Sequence, residues 1–148
     1  MRTAWRILAV SLAVVPGVGA SCEDPTGPVR EVEEAARRWA NAGPYAYAYT
    51  LHETCFCPPS GRRIVVVDDE VVRVERIVEH DPGRVLEGYT VEGLFGLIRQ
   101  SLEREPDSHF LEFDPVLGYP TRVHFDYEHQ AIDEEWGFQV EDFRPLPR

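Results

Sequence analysis

Residues 45–51 read Tyr-Ala-Tyr-Ala-Tyr-Thr-Leu, a strict alternation of large and small side chains. Successive side chains of an extended strand point to opposite faces, so the three tyrosines and Leu51 share one side. The stretch therefore predicts a β-strand with an aromatic face. We interpret that face as packing under helices. A tyrosine-lined ligand surface is the alternative, because tyrosine is also common at interfaces.

Two runs rich in β-branched residues follow this strand, at Arg63–Val67 and Val71–Val78. Asp68-Asp69-Glu70 separates them, so the two runs are expected to pair as a hairpin. Three further alternating segments, 109–113, 121–127 and 135–143, are separated by turn residues and are also predicted to be strands.

Helical periodicity marks one segment before the first strand and one in the middle of the chain. Apolar residues recur at helical spacing over 29–41, after Pro28 and before the stop signal at 41–44. In the second segment Thr90 can cap a helix whose apolar stripe begins at Val91 and runs to Leu102. The element order is α-β-β-β-α-β-β-β. Short connections then predict an α+β fold, with an antiparallel sheet of about six strands and two helices on one face.

Composition excludes several functions. The chain has 148 residues, enough for one domain, and a net charge of −11, which disfavours nucleic-acid binding. All 15 basic residues are arginine, which excludes lysine Schiff-base chemistry and a phosphate loop that needs lysine. The sequence has no nucleophile elbow, zincin helix or dinucleotide fingerprint. We therefore expect a protein that is not an enzyme and has no cofactor.

The N-terminus has the layout of a secretory signal peptide over residues 1–21, with arginines before an apolar run at Ile7–Val15. Small residues precede Cys22, as in a bacterial lipobox, so we expect cleavage there and a lipid on Cys22. Ordinary cleavage after Ala20, which would give a secreted or periplasmic soluble protein, and a retained N-terminus are the alternatives. The expected divisions are a lipidated tether at 22–28, one domain at 29–143 and a frayed tail at 144–148.

Cys55 and Cys57 are the most distinctive chemical feature of the expected domain. If Cys22 is acylated the other two can pair, and export places them where disulfides persist. Residues two apart on a strand are near the upper distance limit for a disulfide, so such a bridge needs a kink. A small structural clip is our interpretation. A redox-active pair and a metal site completed by His52 are the alternatives, although a structural zinc site wants four ligands.

Two other polar groupings have plain surface interpretations. The acidic stretch around 126–135 fails the pattern of a calcium loop, because the glycine and the terminal glutamate are missing. His124 and His129 could sense pH or bind metal, but lone histidines among carboxylates are usually solvated. We assign no metal ligand.

Several short motifs occur together in a recognisable order: Tyr45-Ala46-Tyr47, Cys55-Phe56-Cys57, the valine hairpin, the 90–95 helix start, Gly118-Tyr119-Pro120-Thr121, Asp126 and the acidic triplet at 133–135. Together they resemble the bacterial family known as domain of unknown function 6174, over about residues 30–143. The resemblance implies an exported protein that often has a lipoprotein-like N-terminus, and it implies no activity. That family commonly has Asp-Gly where this chain has Asp69-Glu70, which predicts a wider turn here.

These observations favour a cell-envelope lipoprotein whose domain binds an envelope protein or a small ligand. Contact with the membrane is expected only through the N-terminal lipid, since an acidic body is repelled by an anionic surface. The alternative is a thiol–disulfide or metal-handling factor that uses Cys55 and Cys57.

Overall fold

The computed structural model describes residues 27–55, 58, 60–78, 88–128 and 134–147. The expected signal peptide, Cys22, Cys57, His129 and Asp133 lie outside these residues. Neither helix in the described part is long and apolar enough to cross a membrane.

The described residues form two helices and six strands in the predicted order. They are α1 (Pro28–Ala42), β1 (Ala46–Cys55), β2 (Arg62–Val67), β3 (Glu70–Arg76), α2 (Val91–Glu103), β4 (Ser108–Phe113), β5 (Pro120–Asp126) and β6 (Trp136–Pro145).

All six strands belong to one antiparallel sheet with the order β3-β2-β1-β6-β5-β4. The first and last strands therefore pair at its centre, and two three-stranded meanders extend outward from them. The α+β fold predicted from the sequence is confirmed.

The core lies between the helices and one face of the sheet. Helix α1 contributes Val32, Ala35 and Trp39, all buried. Helix α2 contributes an apolar stripe that includes Leu94 and Ile98, both fully buried. The sheet side of the core is formed by alternate residues of the four inner strands: Tyr47, Tyr49, Leu51, Ile64, Val66, Val123, Phe125, Phe138 and Val140.

Two sequence expectations need correction. The prediction that the chain frays from residue 144 is wrong for residues 144–146. Strand β6 runs to Pro145, and the Leu146 amide donates to the Ala46 carbonyl at 2.8 Å. The wider hairpin turn is also wrong. Asp68 and Asp69 have φ of 53° and 58°, the backbone that a two-residue hairpin loop requires, so two aspartates take positions usually given to Asn-Gly.

Candidate functional site

One side of the sheet has no helix against it within the described residues. We call this side the open face. It consists of the side chains that point away from the core, and its central part is formed by Ala48, Thr50, His52, Arg63, Val65, Arg122, His124, Gln139, Glu141 and Arg144. Polar and charged groups predominate, as expected for a sheet face that is not packed.

The pairing of β1 with β6 changes register in the middle of the open face. Ala48 lies opposite Arg144 and Thr50 lies opposite Glu141, so Asp142 and Phe143 together face the single residue Tyr49. Asp142 has a φ of 50°, in the left-handed region that non-glycine residues seldom occupy. The irregularity is a β-bulge, a feature that bends a strand and redirects side chains and is common beside binding sites.

The bulge borders a cleft of about 330 Å³. The residues that line it are Ala48, Tyr49, Thr50, Arg63, Asp142, Phe143 and Arg144, and we call it the Arg cleft. Arg63 lies directly across the strand pair from Thr50. Ala48 and Thr50 have small side chains and form the floor, whereas the arginines on either side have long ones. The surface is therefore concave at this point.

Both arginines of the Arg cleft lack a carboxylate partner among the described residues. Two carboxylates on the adjoining strands contact other side chains. Glu75, across from Arg63, pairs with Arg73 at 3.5 Å. Glu141 lies 3.4 Å from His52 Nε2 and accepts a hydrogen bond of 2.9 Å from Gln139. Two guanidinium groups and the Asp142 carboxylate leave the cleft with a local positive charge on a chain whose net charge is −11.

The side-chain oxygen of Thr50, at the floor of the Arg cleft, has an unusual environment. Its side chain is 2% exposed, and within the described residues its Oγ1 has no hydrogen-bond partner. A buried hydroxyl without a partner lowers stability, so native proteins seldom retain one without a reason.

The tyrosine stripe lies on the other face and belongs to the core. Tyr47 and Tyr49 are each 1% exposed, while Tyr45 is 48% exposed at the sheet margin. Burial raises the pKa of both buried phenols above the ordinary tyrosine value. The Tyr47 oxygen accepts a hydrogen bond of 3.0 Å from the Val91 amide, and the Tyr49 hydroxyl donates to the Tyr89 carbonyl. The phenol groups of Tyr47 and Tyr49 therefore fix the start of α2 and belong to the core.

In the part of the chain that the structure describes, two further cavities lie outside the open face. One, of about 240 Å³, is a groove between the helices that is bordered by Val29 and Leu102. The other, of about 440 Å³, lies beside the β2–β3 turn and is lined by Asp68, Asp69 and Glu92 among others. The described residues contain no group of three or more His, Cys, Asp or Glu side chains placed to hold a metal ion.

Those site residues predicted from the sequence that the structure describes do not line the Arg cleft. Cys55 is half-buried at the end of β1, opposite Trp136. Because Cys57 lies outside the described residues, the clip, the redox pair and the His52 metal site all remain predictions. His124 lies on the open face beside Gly137 of β6, away from the cleft.

A model of a family of unknown function, DUF6174, matches residues 31–145. The chain belongs to the DUF6174 family. Searches of curated proteins and of solved structures each gave no match. In this DUF6174 domain several motif residues have structural roles. Thr90 Oγ1 accepts from the Gly93 amide at 3.1 Å and caps α2, and Gly118 lies against α1.

Sequence reasoning missed Thr50, Arg63 and Arg144. Strand alternation alone would have placed Thr50 and Arg63 on the face opposite the core residues. Arg144 gave no comparable signal, because it was assigned to the tail and its position depends on the bulge in β6.

Proposed function

We propose that this DUF6174 protein is an exported cell-envelope lipoprotein whose domain is a non-enzymatic binding module that acts through the open face. One observation carries the proposal. The helices cover one side of the sheet, and the other side bears a polar cleft beside a β-bulge. Left-handed non-glycine residues and bulges concentrate at functional sites, because the local strain is maintained there for a purpose.

The envelope part of the proposal is supported by the sequence of the first 22 residues. An arginine-bearing start, a short apolar run and small residues before Cys22 together match a lipoprotein signal. Lipid chains on Cys22 would hold the domain at a membrane, while the excess of acidic over basic residues would keep the body away from anionic headgroups.

Lipidation can be tested by mass spectrometry of the full chain produced in a bacterial host. We expect the mature protein to begin at Cys22, to carry a diacylglycerol there and to fractionate with membranes. The Cys22→Ser variant should move to the soluble fraction. A mature N-terminus at Ser21 with an unmodified Cys22 would show that ordinary secretion is the correct interpretation.

Binding through the open face can be tested by site-specific photocrosslinking in cells. A photocrosslinking amino acid replacing His124 on the open face should give a discrete adduct with an envelope component. The matched control replaces Arg37, which is exposed on α1. Equal adducts from both positions, or an adduct from Arg37 alone, would show that the open face is not the binding surface.

The Cys55–Cys57 bridge is part of the same proposal, as a structural clip. It is supported by the position of Cys55 at the last residue of β1, where a bridge would fix the chain as it leaves the sheet. Thiol-trapping mass spectrometry of the oxidised protein should give a reduction potential below about −300 mV. A value near about −200 mV would favour thiol–disulfide exchange.

A further inference from the structure

The Arg cleft has the chemical features of a site for an oxyanion. A guanidinium group offers a planar pair of N–H donors that matches the two oxygens of a carboxylate or phosphate. Arg63 and Arg144 flank the small floor residues Ala48 and Thr50 from the strands on either side of β1. This arrangement allows both guanidinium groups to converge on one group that enters from the open face.

The two arginines are available for such a ligand. Among the described residues neither forms an ion pair, whereas Arg30, Arg73 and Arg99 each pair with a glutamate. Unpaired arginines that share a concave surface repel one another, and an anion between them removes that repulsion.

Thr50 supplies a second and independent indication of a ligand. Its Oγ1 is buried at the cleft floor and has no partner within the described part of the chain. A rotation of about 120° about χ1 moves the hydroxyl to another staggered position, from which the O–H could donate to a group in the cleft. A bound oxygen would then satisfy the hydroxyl.

The charge balance selects the class of oxyanion. Two guanidinium groups and the Asp142 carboxylate give the cleft one net positive charge, which a single negative charge neutralises. A phosphate dianion would exceed that charge by one. The volume of about 330 Å³ also leaves room for several carbon atoms beyond the anionic group.

We infer that the Arg cleft binds a small molecule through its carboxylate, with Arg63 and Arg144 as the charged contacts and Thr50 as the floor donor. The inference rests on the proposed function, because it names the ligand class of the same open face. The contact is non-covalent, and no reaction is involved.

Butyrate is a suitable probe, followed by NMR of the backbone amides and arginine side chains at constant ionic strength. We expect saturable shifts at Thr50, Arg63 and Arg144 with a Kd of about 1 mM. Arg63→Gln and Arg144→Gln should each weaken binding about 10-fold, and Thr50→Val about 5-fold. Arg122→Gln is the matched control, since Arg122 lies on the open face but does not line the cleft.

Three results would overturn the inference. They are the absence of saturable shifts with butyrate, an equal loss of binding in Arg122→Gln, and tighter saturable binding of inorganic phosphate than of butyrate. The photocrosslinking experiment separates the two proposals. If butyrate does not bind but the position-124 adduct forms, the carboxylate inference fails and the binding module stands. If butyrate does not bind and the position-124 adduct is absent, both the carboxylate inference and the binding-module proposal fail.

Discussion

Tyr47 and Tyr49 link the central strand to the start of the second helix through their hydroxyl groups. The first backbone amides of a helix have no partner within the helix and need one from outside. Val91 is the first residue of α2, and its buried amide donates to the Tyr47 oxygen. The phenol therefore serves as a cap supplied from the sheet, in addition to the local cap from Thr90.

We expect Tyr47→Phe to lower the free energy of unfolding by about 1–3 kcal/mol, because the Val91 amide would stay buried without a partner. Urea denaturation measures the loss, and hydrogen exchange should show weaker protection at the first turn of α2. A change within about 0.3 kcal/mol would mean that another group replaces the phenol oxygen.

Removal of the Thr50 hydroxyl is expected to raise the free energy of unfolding, whereas removal of the Tyr47 hydroxyl lowers it. Thr50→Val keeps the side-chain shape and removes a buried hydroxyl that has no partner in the described residues. The variant should be more stable by about 1 kcal/mol in thermal unfolding, even though it binds butyrate less tightly. If Thr50→Val is destabilised instead, the hydroxyl has a structural partner and is not reserved for a ligand.

At the scale of elements, the turn between β4 and β5 docks against α1 through Gly118. Its φ is 87°, and a Cβ at this position would lie 2.8 Å from the Arg38 Cβ, too close for van der Waals contact. Asp114 holds the turn by accepting from the Val116 and Leu117 amides. The Gly118-Tyr119-Pro120 motif therefore sets how closely the turn approaches the helix.

Gly118→Ala should cost at least about 2 kcal/mol, because it adds both backbone strain and a clash with α1. Gly96→Ala is the control. Gly96 is exposed in α2, nothing lies within 4 Å of a Cβ there, and the change should stabilise the helix by roughly 0.5–1 kcal/mol. Equal urea midpoints for the two variants would contradict the docking role.

An ion pair joins the two helices and makes the stability of the fold depend on pH. Arg99 Nε donates to Glu33 Oε1 at 2.7 Å, and this hydrogen bond lowers the pKa of Glu33. A lowered carboxyl pKa stabilises the fold above the ordinary pKa, and the contribution is lost as the pH falls through the folded-state value. Both side chains are about two-fifths exposed, so the contribution is small.

Glu33→Gln should therefore lower the free energy of unfolding by less than about 1 kcal/mol at pH 7, and the difference from the unmodified protein should vanish once acid has protonated Glu33 in the folded state. Thermal unfolding between neutral and acid pH measures the difference. Glu34→Gln, which removes an exposed pair within α1, is the matched control. A deficit in Glu33→Gln that persists at acid pH would assign the effect to packing.

At the scale of the whole molecule, the helices and strands could be predicted from the sequence, but the order of the strands in the sheet could not. The alternation at 45–51 predicted β1, and Thr90 predicted the start of α2, because both signals are local. The sheet order could not be predicted, since no local pattern shows that β6 pairs with β1. The Arg cleft depends on that pairing and on the bulge that places Arg144 beside Ala48. Sequence reasoning consequently singled out the cysteines, whose role stays a prediction, and missed the arginines.

The central position of β6 makes a prediction about truncation. A chain that ends at residue 135 retains both helices and five strands but loses β6, the partner of both β1 and β5. It should show no cooperative thermal transition, because the β1–β3 meander and the β4–β5 hairpin that remain have no strand to join them. A chain that lacks only residues 147 and 148 should unfold like the intact protein.

The pairing of first and last strands also bears on when the domain can form. A polypeptide leaves the ribosome N-terminus first, and β1 has no neighbour on one side until β6 has been synthesised. Contacts between distant parts of a chain form slowly. If the protein is exported as proposed, this delay would be useful, because a chain without its completed sheet centre would remain unfolded during translocation.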